Sequence, residues 1–347
     1  MDKIVECVPN FSEGRDLDII KAVIGQISAI EGVKLLGADP DRDYHRTVVT
    51  FVGEPDAVVE AAFAATRRAA ELIDMTRHQG EHPRMGATDV VPFVPVSGVT
   101  MEECVRCAQR YGQRVGEELG IPVYLYEEAA SRPERRNLAK VRKGQYEGLA
   151  EKLKDPEWKP DYGPAEMNER SGAVITGARV FLIAYNVNLD TEDVDLANTI
   201  AQNIRESGRV LKDDQGQTIR DEKGKARRQP GTLKAVKAMG VLMEEHHISQ
   251  VSMNLVNYEI TPPHVAFEEC RKQAADLGTR VTGSEIVGLT PLEALVMAAR
   301  HHLQSQGREA DLAPREMVQV AVEYLGLSQL QPFEPDEKVI EFQIGAA

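Results

Sequence analysis

The chain is expected to fold as an α/β protein, an α+β sandwich of two βαββαβ subdomains, each a mainly antiparallel sheet with helices on one face. Three observations lead there. Strand-like and helix-like stretches follow the order β, α, β, β, α, β, and the second half repeats it. The helical stretches carry apolar residues at helical spacing, so one face of each must be covered. The 347 residues, 42% apolar and 28% charged, have the composition of a globular protein with room for two ordinary domains. Two sheets with helices on one side only bury their bare faces best by meeting, which places a ligand crevice between them. The expected divisions are 1–178, 179–303 and a C-terminal helix-and-strand extension over 304–347.

In chain order, KIVECVP is the first strand, and Asn10, Ser12 or Asp16 caps a helix running to about Ile30. VKLLGAD, the charged turn DPDRDYHR and TVVTFVGE follow, then the alanine-rich helix DAVVEAAFAATRRAAELIDM. HQGEHPRMG reads as a turn, because Gly80, Pro83 and Gly86 oppose helix. It feeds DVVPFVPV, whose Pro92 and Pro95 suggest a strand at an edge or one that ends early. A helix over 101–119 and the strand IPVYLYE complete the first half. Arg132 to Tyr162, rich in charge and holding the lone Trp158, reads as a helix plus a connecting loop.

The second half opens with the strand ARVFLIAYNVNL and a helix capped by Thr191. Turn signals DQGQ and EKGK in the stretch 208–231 predict a protruding hairpin. Strands at 233–244 and ISQVSMNLVNYEI follow, then the helix HVAFEECRKQAADLG, the strand TRVTGSEIVGL and a helix with Pro291 in its first turn. The C-terminal PFEPDEKVIEFQI alternates as a strand does.

Composition also excludes. A net charge of −14 argues against nucleic acid as a partner, although a local basic pocket can still take a small anion. No stretch suits a membrane span or a signal peptide, which places the chain in the cytoplasm. Cys7, Cys104, Cys107 and Cys270 do not make a disulfide framework. Cys104 and Cys107, three apart on a predicted helix, read as packed small residues rather than a redox or zinc pair. His78 and His82 have the four-residue spacing of a helical zinc pair, but Gly80 and Pro83 break the helix, so no metal is expected.

VECVPNFSEG, RHQGEHPRMGATDVVPF, TGARVFLIAYNVNL, GSEIVGLTPLEAL and LGLSQLQPFEPDEKVIEF together resemble the glutamate formimidoyltransferase family over essentially the whole chain. The resemblance implies a homodimer that transfers the formimino group of N-formimino-L-glutamate to tetrahydrofolate in histidine breakdown. In many members a cyclodeaminase domain follows, and this chain ends before one would begin. The family's catalytic histidine falls on His82. Its folate loop falls on GPAEMNERSG, which holds Gly163, Pro164, Asn168, Arg170 and Gly172; Gly163, Pro164 and Gly172 match and the middle departs. The charged turn DPDRDYHR also departs while keeping Asp39, Arg46 and Thr47, as does the insertion over 210–228.

Formimino transfer needs one proton taken from the attacking folate nitrogen and one given to the departing glutamate nitrogen, and a histidine does both near neutral pH. Read without the resemblance, His82 is more simply a turn histidine. Asp39 is placed to orient His82 or stabilise the formimidinium, with a turn carboxylate as the plain alternative. Both substrates are polyanions, so Arg46, Arg77, Arg84 and Arg179, with His264, are candidates for their carboxylates. Asn186, Asn188 and Asn254 lie on predicted inner strands, where they either read the pterin edge or bond across the sheet. Two other functions fit the same residues: a folate-binding protein without turnover, and a relative that moves a formyl group from N-formylglutamate or 5-formyltetrahydrofolate.

Overall fold

In the computed structural model, which describes residues 3–345, the chain separates into two compact units, one ending at Val180 and the next beginning at Phe181. The first unit begins β1 (Ile4–Cys7), β2 (Asn10–Phe11), α1 (Leu17–Ser28), β3 (Val33–Asp41), β4 (Arg46–Gly53), α2 (Pro55–Leu72) and β5 (Thr88–Ser97). It continues α3 (Met101–Leu119), β6 (Val123–Glu127), α4 (Leu138–Val141), α5 (Leu149–Lys152) and β7 (Val174–Ala178). Of the three residues named as caps for α1, Asp16 serves, its carboxylate accepting the Asp18 and Ile19 amides. A reciprocal capping box between Thr100 and Glu103 starts α3.

β4 lies between β3 and the broken strand β1/β2, which in turn pairs with β5; every one of these pairings is antiparallel. The strand order of this βαββαβ unit is that of a split βαβ, ferredoxin-like sheet. Beyond β5 the sheet turns parallel, β5 to β7 and β7 to β6, because α3 carries the chain back across the sheet. β5 is therefore central, not an edge. Its prolines are tolerated because Pro92 faces the interruption between β1 and β2, and Pro95 lies past the last residue of β7 that pairs with it.

Helices α1, α2 and α3 bury one face of this sheet around Phe51, Phe63, Phe93, Tyr111 and Val115. Each such side chain taken fully out of water contributes about 1.5–3 kcal/mol. The helix spacing of Cys104 and Cys107 serves this core: both are buried free thiols, pushed up by burial to about 12 and about 11. Part of the opposite face is covered too. Val141, Leu149 and Leu153, from the segment read as a connector, pack on Tyr124, Ile175 and Val90.

The second unit contains β8 (Ile183–Leu189), α6 (Val194–Ile204), β9 (Arg209–Val210), β10 (Arg228–Gln229), β11 (Val236–Met243) and β12 (Ile248–Leu255). After these come α7 (Pro263–Asp276), β13 (Val281–Val287), α8 (Leu292–Ser305), α9 (Pro314–Leu325), α10 (Pro335–Lys338) and α11 (Ile340–Gln343). Its sheet, β11-β12-β8-β13, is antiparallel throughout and repeats the strand order of the first unit's βαββαβ core. The insertion forms a branched hairpin: β9 and β10 pair at its base, and beyond them the Lys212–Thr218 and Arg220–Ala226 bridges close two separate short turns. Asp193 rather than Thr191 caps α6, and Thr191 accepts the Asp193 amide one step earlier. Pro291 is the cap residue of α8, just outside its first turn. The C-terminal segment is not a strand. Only Val339 bridges to a neighbour, Thr290, and the flanking residues coil into α10 and α11 with Ile340 and Phe342 buried. Among the described residues no helix is long and apolar enough to cross a membrane.

Two glycines separate backbone conformation from close approach. Gly172 has φ +68° and a Cβ there would meet the Met85 carbonyl at 2.1 Å, whereas Gly120 has φ +62° with nothing within 4 Å. Gly120→Ala should cost about 1–2 kcal/mol through its left-handed backbone alone. Gly172→Ala, which must also displace backbone, should cost more than that, and urea unfolding midpoints of the two variants measure the difference.

Candidate active site

The loop carrying His82 is fixed at its exit by main-chain bonds. Ala87 N donates to Ser171 O at 2.9 Å and Ala173 N to Met85 O at 3.0 Å, while Ser12 N donates to Ala87 O at 2.8 Å. The Ser12 hydroxyl adds a bond to Gly86 O at 2.7 Å. The loop thus leaves β5 laced to the end of GPAEMNERSG on one side and to the turn after β2 on the other. Within GPAEMNERSG, Asn168 O accepts the Gly172 amide and its side chain accepts Ser171 N, so Asn168 holds that loop's own turn.

The middle of the His82 loop rests on the turn between β3 and β4. A Cβ on Gly80 would meet Tyr44 O at 2.4 Å, so only glycine permits this approach. His45 sits in that turn at φ +51°, which is unusual for a histidine and is held by several contacts. Its ring stacks on His78 at 4.3 Å, with one nitrogen 2.9 Å from Gln79 O and the other 3.0 Å from a Glu13 carboxylate oxygen. Both of these oxygens only accept. His78 instead faces one acceptor and one donor. Its Nε2 faces His45 O at 2.9 Å and its Nδ1 receives Arg84 Nε at 3.2 Å, which fixes a neutral tautomer. Burial, foremost, lowers its pKa in the same sense. Arg84 is itself buried, its fork on the Glu147 carboxylate at 2.6 and 2.9 Å. Arg84 therefore braces the loop, and its guanidinium is already occupied.

His82 lies half-buried over Tyr44, ring centroids 6.1 Å apart, in a small cavity shared with Ser12, Arg46 and Asp89. Burial, then Arg46, then Arg142, push its pKa down to about 4, against a bond to the Pro83 backbone. It is therefore a neutral base at neutral pH. Arg142, the residue ending α4, forms a close ion pair with Asp89, which is 2% exposed in its side chain and also accepts Met85 N at 2.8 Å. Burial raises the Asp89 carboxyl, while Arg142 and the Met85 amide pull it down. The sequence reading missed both residues: Arg142 lies in an unremarkable linker and Asp89 in an apolar strand, although a carboxylate inside such a strand was a usable signal.

The other expected site residues are distributed as follows. Asp39 is exposed on β3, and the register pairs Asp39–Val48 and Asp41–Arg46 put it on the same sheet face as Arg46. Its side chain makes no hydrogen bond to His82. Gly163 and Pro164 are exposed; Arg170 bonds Glu71 O at 2.8 Å; Arg77 is exposed beside Asp74; Arg179 bonds Val180 O at 3.1 Å. In the second unit, Asn186 donates to Glu285 at 2.9 Å, and Asn188 donates to Gln329 and accepts from Gln250, each at 2.8 Å. These bonds run within the sheet and to the C-terminal segment. Asn254 is exposed on β12 of the same sheet. His264 is buried and stacked on His301 at 4.7 Å, pushed down to about 4 by burial and then by His301.

The protein is thus an α+β chain of two βαββαβ units, the first of which presents a neutral histidine on a glycine-braced loop among cationic side chains. Sequence comparison shows its family. The family model of the formiminotransferase domain's N-terminal subdomain matches residues 4–179, and that of the formiminotransferase domain matches 184–345. The chain is 46% identical over 304 residues to the glutamate formimidoyltransferase of Streptococcus pyogenes serotype M1, covering 88% of this chain and 94% of that one. It is 46% identical over 321 residues to the glutamate formimidoyltransferase of Thermoplasma acidophilum, covering 92% and 98%. It is also 49% identical over 345 residues to the formimidoyltransferase-cyclodeaminase of Dictyostelium discoideum, covering 99% of this chain but 61% of that longer protein. The chain belongs to the formiminotransferase family, a family of one-carbon transferases.

The buried Asp89–Arg142 pair gives a stability test. Asp89→Ala removes the carboxylate and leaves a guanidinium largely out of water without its partner, which should cost about 3–5 kcal/mol. Asp89→Asn, which keeps the Met85 bond, should cost less, and urea unfolding of both variants separates the charge from the shape.

Proposed function

We propose that the protein transfers the formimino group of N-formimino-L-glutamate to tetrahydrofolate, giving 5-formiminotetrahydrofolate and L-glutamate, with His82 as the acid–base group. The observation that carries this reading is the neutral His82, half-buried between two guanidiniums on a loop held by Gly80, Arg84 and the Ser171–Ala173 backbone. Folate N5 attacks the formimino carbon, neutral His82 takes the proton that N5 loses, and the imidazolium returns it to the glutamate nitrogen as the C–N bond breaks. The names of the Streptococcus and Thermoplasma relatives support the donor and the reaction. Asp39, on the Arg46 face of the sheet, is the carboxylate for the cationic formimidinium. GPAEMNERSG, with Gly163, Pro164, Asn168, Arg170 and Gly172, is the folate loop, and Asn254, exposed on β12, is the amide left for the pterin edge, since Asn186 and Asn188 bond within their own unit. Arg46, Arg77, Arg179 and His264 remain the carboxylate candidates with Arg84 engaged elsewhere. A homodimer acting in the cytoplasm in histidine degradation completes the proposal.

Incubation with tetrahydrofolate and N-formiminoglutamate should release glutamate, and release only from N-formylglutamate would replace the formimino reading with the formyl one. His82→Ala should lower turnover about 10²–10⁴-fold with folate affinity little changed, because a proton shuttle acts mainly on the transition state. A variant that binds folate weakly but turns over normally once loaded would remove His82 from the chemistry. The pH profile gives an independent check. A base must be neutral to act, so kcat/KM should rise with pH through about 4 and stay level across the usual histidine range, since it reports the free enzyme.

A further inference from the structure

Arg46 is half-buried, yet among the described residues its side chain makes no hydrogen bond and no ion pair; the guanidinium carbon lies 5.6 Å from the Tyr44 ring. Its Nε is buried without a partner, and so is the Nε of neighbouring Arg142. The two carboxylates whose charge acts on it are engaged elsewhere, Asp89 by Arg142 and the Met85 amide and Asp41 by the amides of Asp43 and Tyr44, while Asp39, on the same sheet face, forms no ion pair with it. A guanidinium taken from water without an acceptor is costly, and one facing a second guanidinium is costlier still. We infer that Arg46, backed by the Arg142–Asp89 pair, is the receptor for the α-carboxylate of the formimino donor. This rests on the proposed function, and the choice of carboxylate follows from the chemistry of the two substrates. In N-formiminoglutamate the α-carboxylate is on the carbon that bears the departing nitrogen, so a group reaching it stands beside the acid–base histidine. The folate carboxylates lie beyond a p-aminobenzoyl spacer from the reacting nitrogen, and the donor's side-chain carboxylate is two methylenes further out.

The test uses the intact protein and binding as well as turnover. L-Glutamate, L-glutamine and L-isoglutamine, whose α-carboxylate is an amide, are titrated by calorimetry with and without tetrahydrofolate. Glutamate and glutamine should bind comparably and isoglutamine should lose roughly 10–150-fold, the range of one charge-assisted bond. Arg46→Gln should lose the discrimination, raise the donor KM by a similar factor and leave folate KM unchanged, while Arg46→Lys should fall between because it keeps charge without the fork. Since the Arg46 side chain makes no hydrogen bond in the fold and its unpartnered burial is a cost, its variants should not lower the melting temperature. Isoglutamine binding as tightly as glutamate, or an unchanged donor KM in Arg46→Gln, overturns the assignment. The two readings fail separately: a wild-type chain that binds glutamate through Arg46 but releases none in the transfer assay refutes the transferase and leaves the anion site standing.

Discussion

The site depends on a short run of main-chain hydrogen bonding. Residues 85–87 pass between Ser12 on one side and Ser171–Ala173 on the other, close enough that Gly86 and Gly172 cannot carry a side chain without displacing backbone. Such bonds individually contribute only about 1 kcal/mol net, but leaving their buried groups unmade costs more. The consequence is positional. The loop that precedes this run has its end fixed to the sheet, so His82 is presented by a braced segment although it lies in no helix or strand.

Around that frame the electrostatics are arranged in pairs. Arg84 with Glu147 and Arg142 with Asp89 each bring opposite charges together, His45 hydrogen-bonds Glu13, and His78 stays neutral between His45 and Arg84. His82 is the ionisable group in this cluster whose environment works against its charge without a carboxylate to offset it, which is why it stays a free base. Opposed environments for neighbouring titratable groups are how a site assigns proton donor and acceptor roles at one pH.

Much of this was legible in the sequence. The doubled βαββαβ order followed from periodicity, and the turn at HQGEHPRMG from glycine and proline. The misreadings have local causes. Pro92 and Pro95 look like edge residues until the break in the neighbouring strand is known, and nothing near them in sequence encodes that break. VIEF alternates as a strand would, but only Val339 finds a strand partner, so burial of Ile340 and Phe342 decides for a helical turn. Arg142 meets His82 and Asp89 across more than fifty residues of chain, a proximity that spacing cannot reveal.

The hairpin built on β9 and β10 grows between α6 and β11, while the equivalent connection of the first unit, between α1 and β3, is a tight turn. Its arms bond mainly to each other, and α6 and β11 are held by their own packing. Since doubling a loop's length adds only about 0.6 kcal/mol of closure entropy, chain length at this point is nearly free of the sheet's stability. The first of its two turns, around Gln215–Gly216, is therefore a place where a reporter peptide, a fluorophore or a surface tether can be spliced into the second unit while its strand register stays intact.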